Sequence, residues 1–351
     1  MSDNPPKEAD NEMEKAIFIS ADCWLKVFDL LPPAQLGLGI ALISHRFELR
    51  VDEHFKTRKW ALDMPIRIRE EIGENGAKMQ IVNSVGKALP IPQNPLPNKI
   101  MAFRSIMIFF IEQSVLNFLR RFHRFFSVCT TKLAITTGNV RISEFAVLNI
   151  WPMFKDSIRM LSLTSVNFRQ IRQFAPSILN DCPSLCVVGF DGGVLPEFPP
   201  DDSANASDGQ AVAKWLFSPR PDNFPKVLRI EDSSVDQWLA TVEQIKAAFS
   251  TASSPVSFGI SVNFPSSPSL SAVVPFELTN ELTGEQLTLL QKDANVFVLF
   301  RRPITIVTKK KWRTEMDQVI DGQTNDILIF IRDDGFDDGL IDDLPSSSGD
   351  H

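Results

Sequence analysis

The side chains that could perform nucleophilic or zinc chemistry are few, and their spacing suits neither. No histidine belongs to an H-x-x-x-H or H-E-x-x-H arrangement, the helical spacing that brings two imidazoles to one zinc ion. These histidines are His45, His54, His123 and His351. Cys182 and Cys186 could lie close together, but no second cysteine pair or nearby histidine completes a zinc set. We therefore predict no metal site and no cofactor.

The motifs of common enzyme classes are missing from the sequence as well. It contains no G-x-S-x-G turn for a hydrolase nucleophile and no G-x-x-x-x-G-K-[ST] loop for phosphates. Gly37-Leu38-Gly39 lacks the third glycine of a dinucleotide-binding fingerprint. Carboxylates are plentiful near the end of the chain, but a mobile tail cannot hold two of them at a catalytic separation. The sequence therefore favours a protein that is not an enzyme.

The charge of the chain is unevenly distributed. The formal net charge is −7, from 36 Lys and Arg against 43 Asp and Glu. Residues 333–351 hold enough aspartates to account for the whole excess and contain no Lys or Arg, which predicts a solvated, disordered acidic tail. The remaining body is balanced, and this argues against a nucleic-acid partner, because nucleic-acid binding needs a basic surface.

One basic cluster stands out within this balanced body. It comprises Arg301, Arg302, Lys309, Lys310, Lys311 and Arg313, with Trp312 among them. Such runs are most often solvated faces, and that is the simpler interpretation here. One alternative is a nucleic-acid-binding or localisation signal, and another is a docking surface for an acidic partner, including the acidic tail of the chain itself.

Nothing in the sequence predicts a membrane partner. The first 16 residues are polar and lack the apolar stretch of a signal peptide. No run of 18 apolar residues exists, and the most apolar region, residues 103–126, is interrupted by charges. We expect a cytoplasmic or nuclear protein.

Residues 17–62 read as short helices. Apolar residues recur at i, i+3, i+4 and i+7 on one face of the first helix, namely Trp24, Val27, Phe28 and Leu31. Ser20 is placed to cap this helix, and Pro32-Pro33 ends it. We expect a second helix over residues 34–43, weakened by two glycines, and a third over residues 47–60. The sequence alone leaves open whether the stripe is core or a partner-binding face.

The next stretch has a different character and joins two modules. Residues 66–69 and 78–82 read as strands around a turn. Residues 89–97 contain four prolines, so they should be extended and stiff. We assign residues 63–102 to a β-hairpin and a Pro-rich joint.

A repeat follows this joint. Short apolar strands are centred on residues 106–108, 133–135, 161–163 and 188–190, at offsets of 27, 28 and 27 residues. Helix-like segments lie between them, and a fixed period in this range is typical of a solenoid, in which each unit buries its apolar face against the next. Further strands are expected at residues 227–230, 256–262, 296–300 and 327–331, with helices at 210–217 and 236–250, although the repeat phase is lost there.

Two of the repeats fit the L-x-x-L-x-L-x-x-N-x-L frame of a leucine-rich repeat. The matching positions are Ile158, Leu161, Leu163 and Phe168 in one repeat, and Leu185, Val188, Phe190 and Leu195 in the next. The ninth position, usually Asn or Cys, is Val166 in the first and Gly193 in the second. The repeats are therefore irregular.

The stretch from residue 18 to residue 47, FISADCWLKVFDLLPPAQLGLGIALISHRF, resembles an F-box. Ile19-Ser20 stands where that motif has Leu-Pro, and Ser44 to Phe47 match its closing element, with Phe in place of Trp. The whole chain is also similar to the expanded F-box-like families of nematodes. The stretches MQIVN at residues 79–83 and FELTNE at residues 276–281 carry that wider likeness.

The resemblance implies a substrate-recognition adaptor of a cullin-based ubiquitin ligase. An F-box docks on the linker subunit of such a ligase, and through it on a cullin, while the following domain holds a protein substrate. The residues that would bind the linker subunit are Ile19, Trp24, Leu25, Val27, Phe28, Leu31, Pro32, Leu36, Leu38 and Phe47. The alternative is a scaffold or interaction protein whose F-box-like segment has diverged and recruits no ligase.

These observations combine into one predicted architecture of the α/β class. A disordered tail (residues 1–16) precedes all-α F-box-like helices (17–62) and the joint (63–102). An irregular β/α leucine-rich-repeat-like solenoid (103–332) then binds the substrate, and the acidic tail (333–351) ends the chain. We expect the substrate on the strand-lined face, near exposed positions such as Ser162 and Gly189.

Overall fold

The structure is a computed structural model that combines helices with one large sheet. It describes residues 20–31, 33–56, 60–62, 65–70, 76–81, 88–93, 100–103, 105–122, 130–220, 222, 224–265, 268–304, 324–331, 335, 337 and 340. Within these residues the sheet has 13 strands. The mixed α/β class predicted from the sequence is therefore confirmed.

The chain begins with a group of short helices. They are α1 (Ala21–Phe28), α2 (Pro33–Leu38), a 3-10 turn (Ile40–Leu42) and α3 (His45–Lys56). Ser20 caps α1 as predicted, because its hydroxyl accepts the N–H of Cys23 at 3.3 Å. Ser44 plays a similar part at α3, where its hydroxyl accepts the N–H of Phe47 at 3.4 Å.

The second and third helices differ from their predicted extents. A single helix over residues 34–43 was expected, but α2 ends at Leu38 and the chain tightens into the 3-10 turn after Gly39. A Cβ atom at Gly39 would stand 2.8 Å from the carbonyl oxygen of Gln35, so this close approach of the backbone suits glycine. The third helix ends at Lys56, and Trp60 already belongs to a strand.

The strands fall into two sheets. The first half of the chain contributes β1 (Trp60–Leu62), β2 (Ile66–Glu70), β3 (Ala77–Ile81), β4 (Leu89–Pro90), β5 (Ile100–Phe103), β6 (Ser105–Ile108), β7 (Thr130–Thr137) and β8 (Ile158–Thr164). The second half contributes β9 (Val187–Asp191), β10 (Lys226–Glu231), β11 (Phe258–Asn263), β12 (Phe276–Asn280), β13 (Glu285–Asp293), β14 (Val296–Pro303) and β15 (Thr324–Ile331). β1 and β5 pair with each other, and the other strands form the 13-stranded sheet.

The large sheet has a parallel centre and antiparallel flanks. Its order is β12-β13-β14-β11-β10-β9-β8-β7-β15-β6-β2-β3-β4. Every pair of neighbours from β11 to β2 is parallel, whereas the pairs from β12 to β11 at one flank and from β2 to β4 at the other are antiparallel. The described α-helices after the joint are α4 (Gln113–Phe122), α5 (Val140–Phe145), α6 (Trp151–Phe154), α7 (Ser165–Arg172), α8 (Asp208–Phe217) and α9 (Val235–Ser250). A π-helical segment (Ala146–Ile150) joins α5 to α6, and a 3-10 helix (Pro268–Ala272) precedes β12.

Two rows of apolar side chains run across the parallel strands and form the core with these helices. One row, in register order, is Ile66, Ile106, Ile327, Leu133, Leu161, Val188, Leu228 and Ile260. The other is Ile68, Ile108, Ile329, Ile135, Leu163, Phe190, Ile230 and Val262. All of these residues are buried and belong to the cluster that contains the apolar residues of α4 to α9. Because side chains alternate along a strand, the intervening positions face the other side of the sheet.

The strand order departs from a simple stack of successive repeats. All four strands of the predicted repeat exist, as β6, β7, β8 and β9, and β7 to β11 are neighbours in chain order. The repeat alone would also place β6 beside β7, but β15 lies between them. Two strands that the sequence pattern does not predict, β12 and β13, extend the opposite edge of the sheet.

Order extends beyond the predicted start of the acidic tail. The N–H of Ile111 donates to the carbonyl of Gly335 at 3.1 Å, and the N–H of Asp337 donates to the carbonyl of Ile111 at 3.1 Å. Leu340 packs against the core. The chain therefore stays attached to the molecule after β15 has ended.

A buried ion pair ties the antiparallel flank to the parallel centre. Arg301 on β14 and Glu285 on β13 are 2% and 1% exposed, and the guanidinium donates two hydrogen bonds to one carboxylate oxygen at 2.9 and 2.7 Å. Arg301 also donates to the carbonyl of Ser254, and the second carboxylate oxygen accepts the N–H of Val256 just before β11. Every charge is thereby compensated, and three chain segments are fixed together.

Removing one partner of this pair should destabilise the fold. Glu285→Leu leaves the Arg301 charge buried, and we expect the free energy of unfolding in urea to fall by about 3–5 kcal/mol. The double variant Glu285→Leu/Arg301→Met should recover most of that loss, because two apolar side chains need no compensation. Glu243→Leu, in the exposed pair with Lys246, should change stability by less than about 1 kcal/mol. A loss of similar size at residues 285 and 243 would show that burial of the pair is unimportant.

Candidate functional site

The strongest candidate for a binding site lies on the sheet face opposite the apolar rows. In the middle of this open face, neighbouring strands place small residues side by side: Ala134 on β7, Ser162 on β8 and Gly189 on β9. The next strand contributes Arg229 in the same row. The small side chains leave a depression of about 270 Å³ in the surface. Ser162 and Gly189, the positions proposed from the sequence, both line it.

A second and larger depression adjoins the first. It has a volume of about 600 Å³ and shares Thr136 with the smaller one. Phe109, just after β6, and Phe330 on β15 form its aromatic part, with ring centroids 5.6 Å apart and planes 18° from parallel. Arg67 lies over the Phe109 ring at 5.8 Å from its centroid. We refer to the two depressions together as the cleft.

The opposite end of the cleft is acidic. Asp191 on β9 and Glu231 on β10 are register partners, and both side chains are exposed. One Glu231 oxygen accepts the side-chain N–H of Asn263 at 2.7 Å. Two carboxylates directly opposite each other on neighbouring strands repel, so a cation placed between them would be stabilised. The cleft therefore has an aromatic end and a negatively charged end.

The F-box-like residues form a helical unit with its own apolar contacts. Phe28 and Leu36 are 1% and 0% exposed, so both belong to the interior of the unit together with residues of α3. Trp24 packs edge-on against Phe47, with ring centroids 5.0 Å apart, and lies 6.1 Å from the Phe28 ring. The structure thus brings together three aromatic residues that the sequence placed in one motif.

The remaining predicted linker-binding residues have different environments. Leu25 and Leu31 are half-buried against the core, and Val27 is exposed. Ile19 and Pro32 lie outside the described residues, and so does the side chain of Leu38. The buried Phe28 and Leu36 cannot reach a partner in this arrangement, whereas Val27 can.

Other residues of the helical unit are more exposed than the predicted ones. Leu30 is 83%, Ile43 64% and Leu49 56% exposed, compared with 41% for Val27. Leu30 is not among the residues predicted from the sequence, because it lies outside the i, i+3, i+4, i+7 stripe. Within that stripe Phe28 is buried, Trp24 and Leu31 are half-buried and Val27 is exposed. The signal for the more exposed apolar surface was an apolar residue off the stripe.

Comparison of this chain with models of known protein families, with curated proteins and with solved structures found no match. The function must therefore be inferred from the geometry. None of the described helices combines the length and apolar character needed to span a membrane. Among the described residues, no three His, Cys, Asp or Glu side chains are grouped in a way that could hold a metal ion.

Arg301, the first residue of the basic cluster noted in the sequence, is buried. Arg301 is buried in its ion pair with Glu285, so it does not belong to an exposed basic surface, and that part of the prediction is wrong. Arg302 is half-buried and donates to Gln286 at 3.4 Å. Lys309, Lys310, Lys311 and Arg313 lie outside the described residues.

Three potentially nucleophilic side chains of the sheet domain, those of Cys182, Cys186 and Lys226, are buried in the protein interior. Burial raises the pKa of the Cys182 thiol to about 12, so it remains protonated at neutral pH. Cys186 is buried, and its thiol donates to the carbonyl of Arg159. Lys226 on β10 is also buried; its ammonium donates to the carbonyl of Trp215 near the end of α8 and lies over the Trp215 ring. Lys226 therefore interacts favourably with the negative end of that helix.

The environment of Lys226 should make stability depend on pH. Burial, together with the charge of Arg220, lowers the pKa of Lys226 from 10.5 to about 7. Between these values the unfolded chain binds the proton and the folded protein does not, so the free energy of unfolding rises with pH. Between pH 7 and pH 9 this rise should exceed that of Lys226→Met by about 2 kcal/mol in urea unfolding. Equal pH dependence in the two proteins would show that Lys226 keeps an ordinary pKa.

Proposed function

We propose that this protein is a substrate-recognition adaptor of a cullin-based ubiquitin ligase. In this proposal the N-terminal helical unit binds the linker subunit of the ligase, and the open face of the sheet binds a protein substrate. The protein itself does no covalent chemistry. It raises the concentration of the substrate near the loaded conjugating enzyme, in the cytoplasm or nucleus.

The observation that carries the proposal is the combination of an inner and an outer apolar surface in so small a helical unit. Phe28, Leu36 and residues of α3 pack inward, yet Leu30 and Ile43 remain largely exposed. Exposed apolar groups of this size, on a helical unit, are the kind of anchors that helix-mediated docking uses. The F-box resemblance covers the same residues.

The organisation of the sheet supports the second half of the proposal. We infer that β7 to β11, which are parallel and follow chain order, belong to an irregular leucine-rich-repeat-like solenoid, with β15 inserted beside its first strand. In such a fold the strand-lined face binds partners because no helix of the repeat covers it. The cleft around Ser162 and Gly189 lies on that face.

The second candidate function is a scaffold or interaction protein that recruits no ligase. The replacement of the usual Leu-Pro by Ile19-Ser20 favours this alternative, as does the break in the second helix at Gly39. Both candidates use the open face of the sheet. They differ in whether the helical unit has a partner.

Co-purification with the ligase linker subunit distinguishes the two candidates. The wild-type chain should retain the linker subunit, and Leu30→Asp/Ile43→Asp should weaken its binding by at least about tenfold, because each charge replaces an apolar contact. Truncating Phe28 would be a poor test, since removing a buried Phe costs about 3–5 kcal/mol and could unfold the unit.

Leu282→Asp is the matched control for this experiment. Leu282 is 81% exposed in the turn between β12 and β13, so the same substitution there tests a general effect of exposed leucine. We expect no change in linker binding. If the folded wild-type chain retains no linker subunit, the ligase proposal is wrong and the scaffold function is favoured.

A further inference from the structure

We propose that the cleft binds an extended peptide segment that carries an aromatic residue and, about five residues away, a lysine or arginine. The aromatic side chain would lie on Phe109 and Phe330, and the cationic side chain between Asp191 and Glu231. This inference deepens the proposed function, because it names the chemistry of the substrate, but the binding itself can be measured without any ligase component.

The aromatic end offers a surface that an aromatic or large apolar side chain would cover. Phe109 is exposed, and the Phe330 ring is half-buried and nearly parallel to it. Offset contacts between aromatic rings contribute about 0.5–1.5 kcal/mol beyond the area that they bury. Arg67 and Arg69 flank these rings and outnumber Glu70, the one carboxylate among the described residues that lines this end, so the cation of the ligand belongs at the other end.

The acidic end is complementary to a single cation. Asp191 and Glu231 are aligned across neighbouring parallel strands, and Asn263 holds one oxygen of Glu231. Arg229 lies one row away and limits this end to one cationic side chain. Charge complementarity thus selects a basic residue at this end and sets the direction of the ligand across the sheet.

The spacing of the strands fixes the length of the ligand. Neighbouring strands are about 4.8 Å apart, so β9 lies about 14 Å and β10 about 19 Å from β15. An extended chain advances about 3.3 Å per residue, and five residues therefore span about 17 Å. Thr136 and Thr164 lie in the row that joins Phe330 to Asp191, and Ser162 and Gly189 lie in the adjacent row. The small size of these residues leaves room for a peptide backbone.

A single-stranded nucleic acid is the competing occupant, since its bases could stack on the two phenylalanines. Its phosphates would then lie beside Asp191 and Glu231, where like charges repel. A peptide is favoured for this reason. Labelled oligo(U) is included in the test, and tighter binding of oligo(U) than of the peptide would overturn the proposal.

The test uses the full chain and the fluorescein-labelled peptide GSFSGSGKGS, with binding followed by fluorescence anisotropy. Replacing its Lys by Gln, or its Phe by Ser, should weaken binding by about fivefold in each case, the range of one exposed ion pair or one aromatic contact. Moving the Lys next to the Phe should weaken it by a similar factor. Equal affinity for all four peptides would overturn the proposal.

Variants of the protein locate the binding on the cleft. Asp191→Asn/Glu231→Gln should weaken binding of the Lys peptide by about fivefold and leave the Gln peptide unaffected. Phe109→Ala should weaken binding of the Phe peptide by about fivefold and leave the peptide with Ser in place of Phe unaffected. Losses that do not depend on the peptide residue would mean that the assigned contacts are wrong.

Filling the floor of the cleft provides a further arm with a matched control. Ser162 and Ser261 occupy the same row of the open face, on β8 and β11, but only Ser162 lines the cleft. Ser162→Leu should abolish peptide binding, and Ser261→Leu should not change it. Both proteins should show the same sheet content by circular dichroism.

Failure of the cleft proposal can be distinguished from failure of the ligase proposal. If the protein binds the peptide but not the linker subunit, the cleft proposal stands and the ligase proposal is wrong. If it binds the linker subunit but not the peptide, only the cleft proposal is wrong.

Discussion

The whole sheet domain depends on burying two rows of apolar side chains on one side of eight parallel strands. Each fully buried Ile, Leu or Val contributes about 1.5–3 kcal/mol, so the rows dominate the stability of the domain. They bind α4 to α9 to one face, because those helices supply the other half of the core. The alternate positions then face outward, and where they are small, as at Ser162 and Gly189, a cleft results. Core and candidate site are two consequences of the same alternation.

β15 is the last described strand along the chain, but it lies in the middle of the sheet, between β6 and β7. Ile327 and Ile329 complete the two buried rows between β6 and β7, and Phe330, on the opposite face, stacks on Phe109. The cleft is therefore complete only when the last strand has been inserted. β15 pairs with β6 and β7, which are far from it in sequence. Forming these pairs therefore costs more loop-closure entropy than pairing strands that follow each other in the chain. Completion of the core and formation of the cleft are consequently coupled.

The sequence predicts elements well where the periodicity is local. The strands β6 to β11 and the cap at Ser20 follow from alternation and from side-chain chemistry within a few residues. The position of β15 could not be predicted, since an apolar strand pattern does not specify its neighbours. Arg301 was misjudged for a related reason: a basic residue in a charged run reads as exposed, and its partner Glu285 became adjacent only through strand pairing. The cleft combines residues from seven strands or their ends, so only the small residues Ser162 and Gly189 hinted at it.

A buried asparagine, Asn167, lies one residue after the position at which the predicted repeat frame expects one. The expected position is Val166, which is exposed, but the next residue, Asn167, is buried and donates to the Thr137 carbonyl at 3.0 Å. Its amide oxygen accepts the hydroxyl of Thr164, so β7, β8 and α7 share one hydrogen-bond network. A buried carbonyl at the end of β7 would otherwise cost about 1–3 kcal/mol. An amide one residue beyond the predicted position therefore satisfies the carbonyl at the end of β7, because the start of α7 brings Asn167 close to it. The predicted frame located the hydrogen-bonding position to within one residue and missed its exact place, since the frame does not specify where α7 begins.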